Sequence, residues 1–328
     1  MHIPVLLHEV LAALDPQSGE FFIDGTLGGG GHAREIISRL NPGGTLIAVD
    51  RDPRAVAVFK ESYVAPENVK VIVEAASYAK LPEILAKHDL PKADGLLLDL
   101  GFSSEQVVGG ALAGRGFSFA ADEPLLMTYD DETPSVAQLL AELSEGDLAA
   151  IIREYGEERY SAQIAKSILQ IAKINGIATT GQLVTAIRAA VPASYEGGRM
   201  NPATRTFQAL RIYANSELHQ LELLLAELPK LVRAGGRVGI ISFHSLEDRI
   251  VKQHFKQLRV RDGGSVGGGQ KYGRASAGEL PNPISAPKTA DKPAQEIHLG
   301  NKVITATEKE MFHNPRSRSA KLRVFTMP

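Results

Sequence analysis

Short apolar runs alternate with helix-spaced segments over the first hundred residues. Phe21–Asp24, Thr45–Asp50, Val69–Val73 and Ala93–Asp99 read as strands. Ala33–Leu40 and the segment opened by Pro53 read as amphipathic helices between them, with Pro53 suited to a first helical turn. This alternation predicts an α/β fold with a doubly wound parallel sheet. Ala93–Asp99 has almost no polar interruption, which fits a central strand covered on both faces. Upstream, His2–Leu14 predicts a helix with Leu6, Leu7, Val10, Leu11 and Leu14 on one face and His8 and Glu9 on the solvated side.

The period changes after about residue 105. Leu139–Tyr155, Ala162–Ala172 and Gln182–Val191 read as helices, and the next convincing strand is Arg237–Phe243. A parallel sheet needs its next strand within a helix-length crossover, so the economical reading is a helical insertion after the fourth strand. The expected organisation is a core over 1–106, an inserted helical domain over 107–205 and the rest of the core over 206–328. One long helix is expected from Asn201 through Leu228, ending before Gly235–Gly236. Ser245 is expected to cap the helix after the fifth strand, with Asp248 three residues on. Residues 261–295 are rich in Gly, Pro, Ser and Ala and predict a mobile segment. Lys302–Thr307 and Ala320–Thr326 predict a closing antiparallel ribbon.

The candidate chemistry lies where the predicted strands end. In FFIDGTLGGGGH an acid, Asp24, opens a glycine loop that leads into a helix, a geometry that brings backbone N–H groups close to a ligand. A carboxylate there repels the pyrophosphate of NAD or ATP. It suits a ligand with an ammonium group and no phosphate, such as S-adenosylmethionine (SAM). Asp50 ends the second strand, where a ribose-binding acid is expected. Asp99 ends the fourth. A lone acid at a strand end is usually a turn former, but three at successive ends point to a site. Tyr78 fits either an adenine-stacking or a core role. His244, just past the fifth strand, fits a substrate-orienting, proton-accepting or structural role. Arg153, Arg159, Lys166 and Arg188 are a candidate RNA-facing surface or simply solvated helix faces. Lys271, Arg274 and the basic Asn314–Arg323 suit phosphate contact.

The formal net charge of −2 means that RNA binding must rely on a local basic face. The absence of Cys excludes disulfides and thiolate metal sites and fits a reducing cytoplasm. Neither a signal peptide nor a membrane-length apolar run is expected. No metal-ligand spacing stands out.

The runs HIPVLLHEVL, DGTLGGGGHAREI, AVDRDP, LLLDLGFSS, RGFSF, YGEER, NPATRTFQALRI, GGRVGIISFHSLEDRIVK and RSRSAKLRV occur in order along nearly the whole chain. Together they resemble the bacterial RsmH (MraW) family of SAM-dependent methyltransferases. The resemblance implies a class I, Rossmann-like methyltransferase core and methyl transfer to N4 of a cytidine. The implied partner is 16S ribosomal RNA, in the decoding region of the small ribosomal subunit. It also implies that Gly30, Gly31 and His32 contact SAM, that Asp50 holds the ribose, that Tyr78 flanks the adenine, and that Asp99 and Gln106 complete the cofactor pocket. One stretch departs. Where the family typically reads DGPLDMRMD, this chain reads DEPLLMTYD over 122–130, with Leu126 at an acid position and Thr128 at an arginine position.

For that chemistry the expected acceptor of the N4–H bond is Asp99 or the backbone carbonyls near Leu100–Gly101. Ser103, Ser104 and His244 would line the pocket. Two rivals stand beside it. One is a nicotinamide-dependent oxidoreductase, against which Asp24 and the missing G-x-G-x-x-G order count. The other is a non-catalytic SAM- or RNA-binding assembly factor on the same fold. A homodimer is compatible with the sequence and not specified by it.

Overall fold

The computed structural model describes residues 4–101, 112–195, 201–261 and 303–328. Ser103, Ser104, Gln106, Lys271, Arg274 and most of the segment 261–295 lie outside the described residues.

The core is a seven-stranded sheet in the order β3-β2-β1-β4-β5-β7-β6. Its first half comprises α1 (Leu7–Leu14), β1 (Phe21–Asp24), α2 (Gly31–Leu40), β2 (Thr45–Asp50), α3 (Pro53–Ser62), β3 (Lys70–Ala75), α4 (Leu81–Lys87) and β4 (Ala93–Asp99). The pairs β1–β2, β1–β4, β2–β3 and β4–β5 are parallel. After the insertion come β5 (Val232–Ser242), α11 (Ser245–Arg261), β6 (Ile304–Thr305), α12 (Glu308–His313) and β7 (Lys321–Thr326). β7 runs antiparallel to both β5 and β6, as the alternation of the C-terminal segments predicts.

Strand side chains alternate between two apolar layers. Ile23, Ile47, Leu96, Leu98 and Ile240 pack on one face with Leu81, Leu225 and Phe255. Phe22, Leu46, Leu97 and Ile241 pack on the other with Leu14, Ile36 and Phe59. Burial on both faces explains the uninterrupted apolar run of β4.

The insertion folds around its own core, in which Leu140, Ile152, Ile164, Leu183 and Phe207 meet. Its helices are α5 (Val136–Glu142), α6 (Glu145–Gly156), α7 (Ser161–Asn175), α8 (Thr180–Ala190) and α9 (Thr204–Asn215). The single helix expected over Leu139–Tyr155 is therefore two. Ser144 ends the first and caps the second, accepting the Asp147 N–H at 3.1 Å. The long helix expected from Asn201 to Leu228 is also two. Ser216 has φ 51° and separates α9 from α10 (Glu217–Leu231). Phe207 and Leu210 of α9 pack in the insertion's cluster. α9 thus packs with the insertion's helices on the N-terminal side of the break at Ser216.

Two further expectations are corrected. β5 begins at Val232, because Val232 already pairs with Ala93 of β4. Ser245 does not cap α11: its hydroxyl bonds Glu157 at 2.5 Å, and Asp248 binds Arg323. Glu247 takes the capping role, its Oε2 accepting the N–H groups of Phe243 at 2.8 Å and His244 at 3.3 Å.

Asn215 ties the insertion to the core at the break. Its side chain donates to Met127 O at 2.7 Å and Arg211 O at 2.9 Å, and its backbone carbonyl accepts from Arg51 at 2.8 Å. Asn215 is buried, so Asn215→Ala leaves the Met127 carbonyl unsatisfied. That change should cost about 2 kcal/mol in urea unfolding.

Candidate active site

The glycine loop turns back over the carboxyl ends of β1 and β2, and Asp50 holds it there. Asp50 Oδ2 accepts the Gly28 N–H at 2.7 Å, and Oδ1 accepts the Asp52 N–H at 2.9 Å. Gly30 spends its own N–H on Leu27 O at 2.7 Å. With φ +73°, a Cβ on Gly30 would lie 2.3 Å from the Phe59 ring. Gly30 therefore serves loop packing against α3 and does not line the cavity, whereas Gly31 and His32 do.

The loop roofs a cavity whose other walls include Asp50, Tyr78, Asp99, Tyr129 and Glu217. Asp24 lies beneath the lining, 1% exposed. Its Oδ1 accepts the Thr26 N–H at 3.0 Å, while Oδ2 has no hydrogen-bond partner among the described residues. Asp99 Oδ1 is likewise buried without a partner, and Oδ2 stands 3.7 Å from His32 Nδ1. His32 Nε2 lies 3.0 Å from Val5 O. A carbonyl only accepts, so Nε2 carries the proton and Nδ1 presents a lone pair toward Asp99. Burial pushes the His32 pKa down, despite the opposing field of Asp24, and keeps the ring neutral.

Burial raises the pKa of Asp24 and of Asp50 to about 6. It raises Asp99 to about 7, against the opposing charge of Arg316. Acids with orphaned oxygens that resist ionisation need a cation to restore their charged form. The cavity therefore fits a small molecule carrying a sulfonium or ammonium group.

A second cavity adjoins the first and shares Gly101, Glu247 and Arg316 with it. Phe117, Phe119, Phe207 and Phe243 supply aromatic walls, and Arg211 and His244 also line it. Arg316 lies over the Phe243 ring at 5.5 Å. His244 thus belongs to the second cavity, 3.1 Å through Nε2 from Glu247 Oε1. Glu217 Oε2 accepts two bonds from Arg211, at 3.2 and 2.9 Å, and Oε1 accepts from the Tyr129 hydroxyl at 3.3 Å.

Glu217, His244 and Glu247 place ligand atoms within 4.8 Å of one another, a spacing that a metal ion can use. That cluster already contains a cation, since Arg211 is paired with Glu217. Sequence reasoning missed Tyr129, Arg211, Glu217 and Arg316 as wall residues. Glu217 reads as mid-helix until the break at Ser216 is known. The sequence points to Ser245 and Asp248 in this turn and not to Glu247, whose position between two cavities is a tertiary fact.

Residues 1–327 match the family model described as the MraW methylase family. The chain is 43% identical over 323 residues to the ribosomal RNA small subunit methyltransferase H of Geotalea uraniireducens, covering 98% of this chain and 97% of that one. The proteins of the same name from Citrifermentans bemidjiense and Nitrosospira multiformis are 44% and 40% identical, over 98% of this chain and 97% and 96% of theirs. The chain belongs to the MraW methylase family. It is a SAM-dependent methyltransferase with a Rossmann-like α/β core. Among the described residues no helix is long and apolar enough to cross a membrane.

Asp99 gives this site a pH signature. Its pKa is about 7 in the fold against an ordinary 3.8. Below the ordinary value both folded and unfolded forms are protonated, and burial carries no ionisation cost. As pH rises toward 7, the unfolded carboxyl ionises first and the fold loses stability. A tenfold change is ~1.4 kcal/mol, so the loss approaches about 4 kcal/mol. Asp99→Asn should therefore be more stable than the wild type at about pH 8, with the advantage vanishing near pH 4. Ligand-free denaturation at the two pH values reads this difference.

Proposed function

We propose that the protein transfers the methyl group of SAM to N4 of a cytidine in the decoding region of 16S ribosomal RNA, acting on the small ribosomal subunit. The observation that carries the reading is the pair of adjoining cavities. One is lined by glycines and buried acids, the other by phenylalanines, and the two meet at Gly101, Glu247 and Arg316.

The glycine loop, Asp50, Tyr78 and Asp99 would hold the cofactor, with Gln106 and Gly30 as expected neighbours from the resemblance. Bound SAM supplies a methyl group on sulfur, already attached to a good leaving group. The protein's task is placement. The N4 lone pair is delocalised into the ring, so N4 must be held in line with the methyl carbon. The cytosine must first leave its stack, and the phenylalanine walls give it a new stacking surface. Leu100 and Gly101, which follow β4, line the first cavity, and Gly101 lines the second as well. The exposed Arg153, Lys166, Arg188 and Arg318 suit phosphate contact.

The deciding experiment incubates the protein with tritiated SAM and small subunits that lack the modification. Label is expected in 16S RNA as N4-methylcytidine. Binding of subunits and SAM without label would favour an assembly factor. In a thermal shift, SAM should stabilise the protein and NAD should not.

Phe119 is partly exposed at 37% and lines the second cavity. Stacking on an aromatic ring is worth about 1–3 kcal/mol per base. Phe119→Ala should raise the KM for subunits roughly fivefold to a hundredfold, leaving the SAM Kd unchanged.

A further inference from the structure

We propose that Glu247 accepts the proton that cytosine N4 sheds on methylation, and that His244 is the residue that positions its carboxylate. The inference rests on the assignment of the two cavities to cofactor and cytosine.

Position comes first. Of the three residues common to both cavities, Gly101, Glu247 and Arg316, only Glu247 has a side chain that accepts a hydrogen bond. Asp99, the candidate from the sequence, lines the cofactor cavity and not the second one. The methyl group must cross between the cavities, so the proton leaves nitrogen at the junction.

The Glu247 carboxylate is also held still. It stands in the first turn of α11, and its Oε2 accepts the Phe243 and His244 N–H groups at 2.8 and 3.3 Å. Oε1 faces His244 Nε2 at 3.1 Å. A carboxylate has about four lone-pair sites, so Oε1 can accept one further hydrogen bond, from N4–H.

Charge separates the two acids. Burial works to raise the Glu247 pKa, but the His244 contact, the Phe243 N–H and the Arg211 charge outweigh it and hold the group below its ordinary value. Glu247 is therefore a carboxylate at neutral pH. Asp99, pushed up to about 7, is half protonated there. Among the described residues the charged and titratable groups around Glu247 are His244, Arg211, Glu217, Tyr78 and Asp99, with Arg316 at the same junction.

The step balances with these groups alone. The N4 lone pair forms the bond to the methyl carbon as the carbon–sulfur bond breaks, its electron pair remaining on sulfur. The positive charge left on nitrogen makes N4–H acidic. The proton passes to Glu247 Oε1, the N–H electron pair returns to nitrogen, and solvent takes the proton after product release. A weak base suffices, because the bond to carbon has already acidified the amine.

Glu247→Gln tests this, because a glutamine oxygen still accepts the two backbone N–H groups and keeps the turn. The labelling assay with Glu247→Gln should show kcat lowered by roughly 10²–10⁴-fold, with the SAM Kd and the melting temperature near those of the wild type. His244→Ala should lower kcat about tenfold and move the acid limb of its pH profile upward, since the contact that depresses the Glu247 pKa is gone. A Glu247→Gln enzyme keeping more than a tenth of wild-type kcat overturns the proposal. So does a loss of activity in both Glu247→Gln and Glu247→Asp that only tracks lost SAM binding or a lowered melting temperature, which marks a structural clamp. A wild-type enzyme that places no label in RNA overturns the cytidine reading itself, and this proposal with it.

Discussion

A carboxylate taken out of water without a partner is costly, and this fold places three acids at one closed edge. Parallel pairing requires it. Asp24, Asp50 and Asp99 end three strands that are adjacent in the order β2-β1-β4, so all three arrive at the same side of the sheet. The protein relieves the cost unevenly. Asp50 receives two backbone N–H groups and becomes the clip that fixes the glycine loop. Asp24 receives one, and Asp99 retains a buried oxygen with no hydrogen-bond partner among the described residues. The unmet demand for positive charge thus sits beside the cavity. A cationic nucleoside gains from exactly the electrostatics that burden the empty protein. Nucleotide ligands with a pyrophosphate meet the opposite field.

The break at Ser216 converts this cofactor site into one that the insertion also builds. Arg211 precedes the break on α9 and lines the second cavity, while Glu217 follows it on α10 and lines the first. Their ion pair is buried on both sides, with side-chain exposures of 16% and 13%. Such a pair is sensitive to geometry, because losing either partner strands a charge. Tyr129, from the insertion side, reaches the same glutamate and lies beneath Arg51, at 5.3 Å. The wall between the cavities is therefore made from both parts of the chain.

The strands and the carboxyl-edge acids were legible because their signals are local. A run such as Ala93–Asp99 states its own burial, and three of the strand ends are visible as an acid closing an apolar run. Helix breaks were less legible. Nothing in the apolar spacing around Ser216 or Ser144 separates a break from a continuous helix, since each polar residue also fits a solvated face. Position between cavities was not legible at all. The sequence points to Ser245 and Asp248 for the cap, whereas Glu247 accepts the N–H groups of the turn. Its second environment arises only when α9, the segment after β6 and the end of β5 converge. His244 was flagged from its place after a strand, but its neighbourhood with Glu247 rather than with the cofactor acids is decided by the turn into α11. Gly30 shows the converse: the resemblance assigns it to the ligand, while its φ and the Phe59 ring account for it through packing.

The stretch that departs from the family pattern is organised around one arginine. Arg115, 5% exposed, spreads its guanidinium over the 128–131 turn. It donates to Thr128 O at 2.6 Å, to the Thr128 hydroxyl at 2.9 Å, to Asp131 Oδ1 at 2.6 Å and to the Asp130 carbonyl. Thr128 is 2% exposed and points its oxygen at that guanidinium. Threonine at 128 gives Arg115 a hydroxyl acceptor within the turn. The next residue, Tyr129, then reaches the cofactor cavity with its hydroxyl on Glu217 and its ring 5.1 Å from that of Phe117. The substitution at 128 and the tyrosine at 129 therefore belong to one arrangement. A single buried arginine organises the turn, and the turn delivers an aromatic wall to the site.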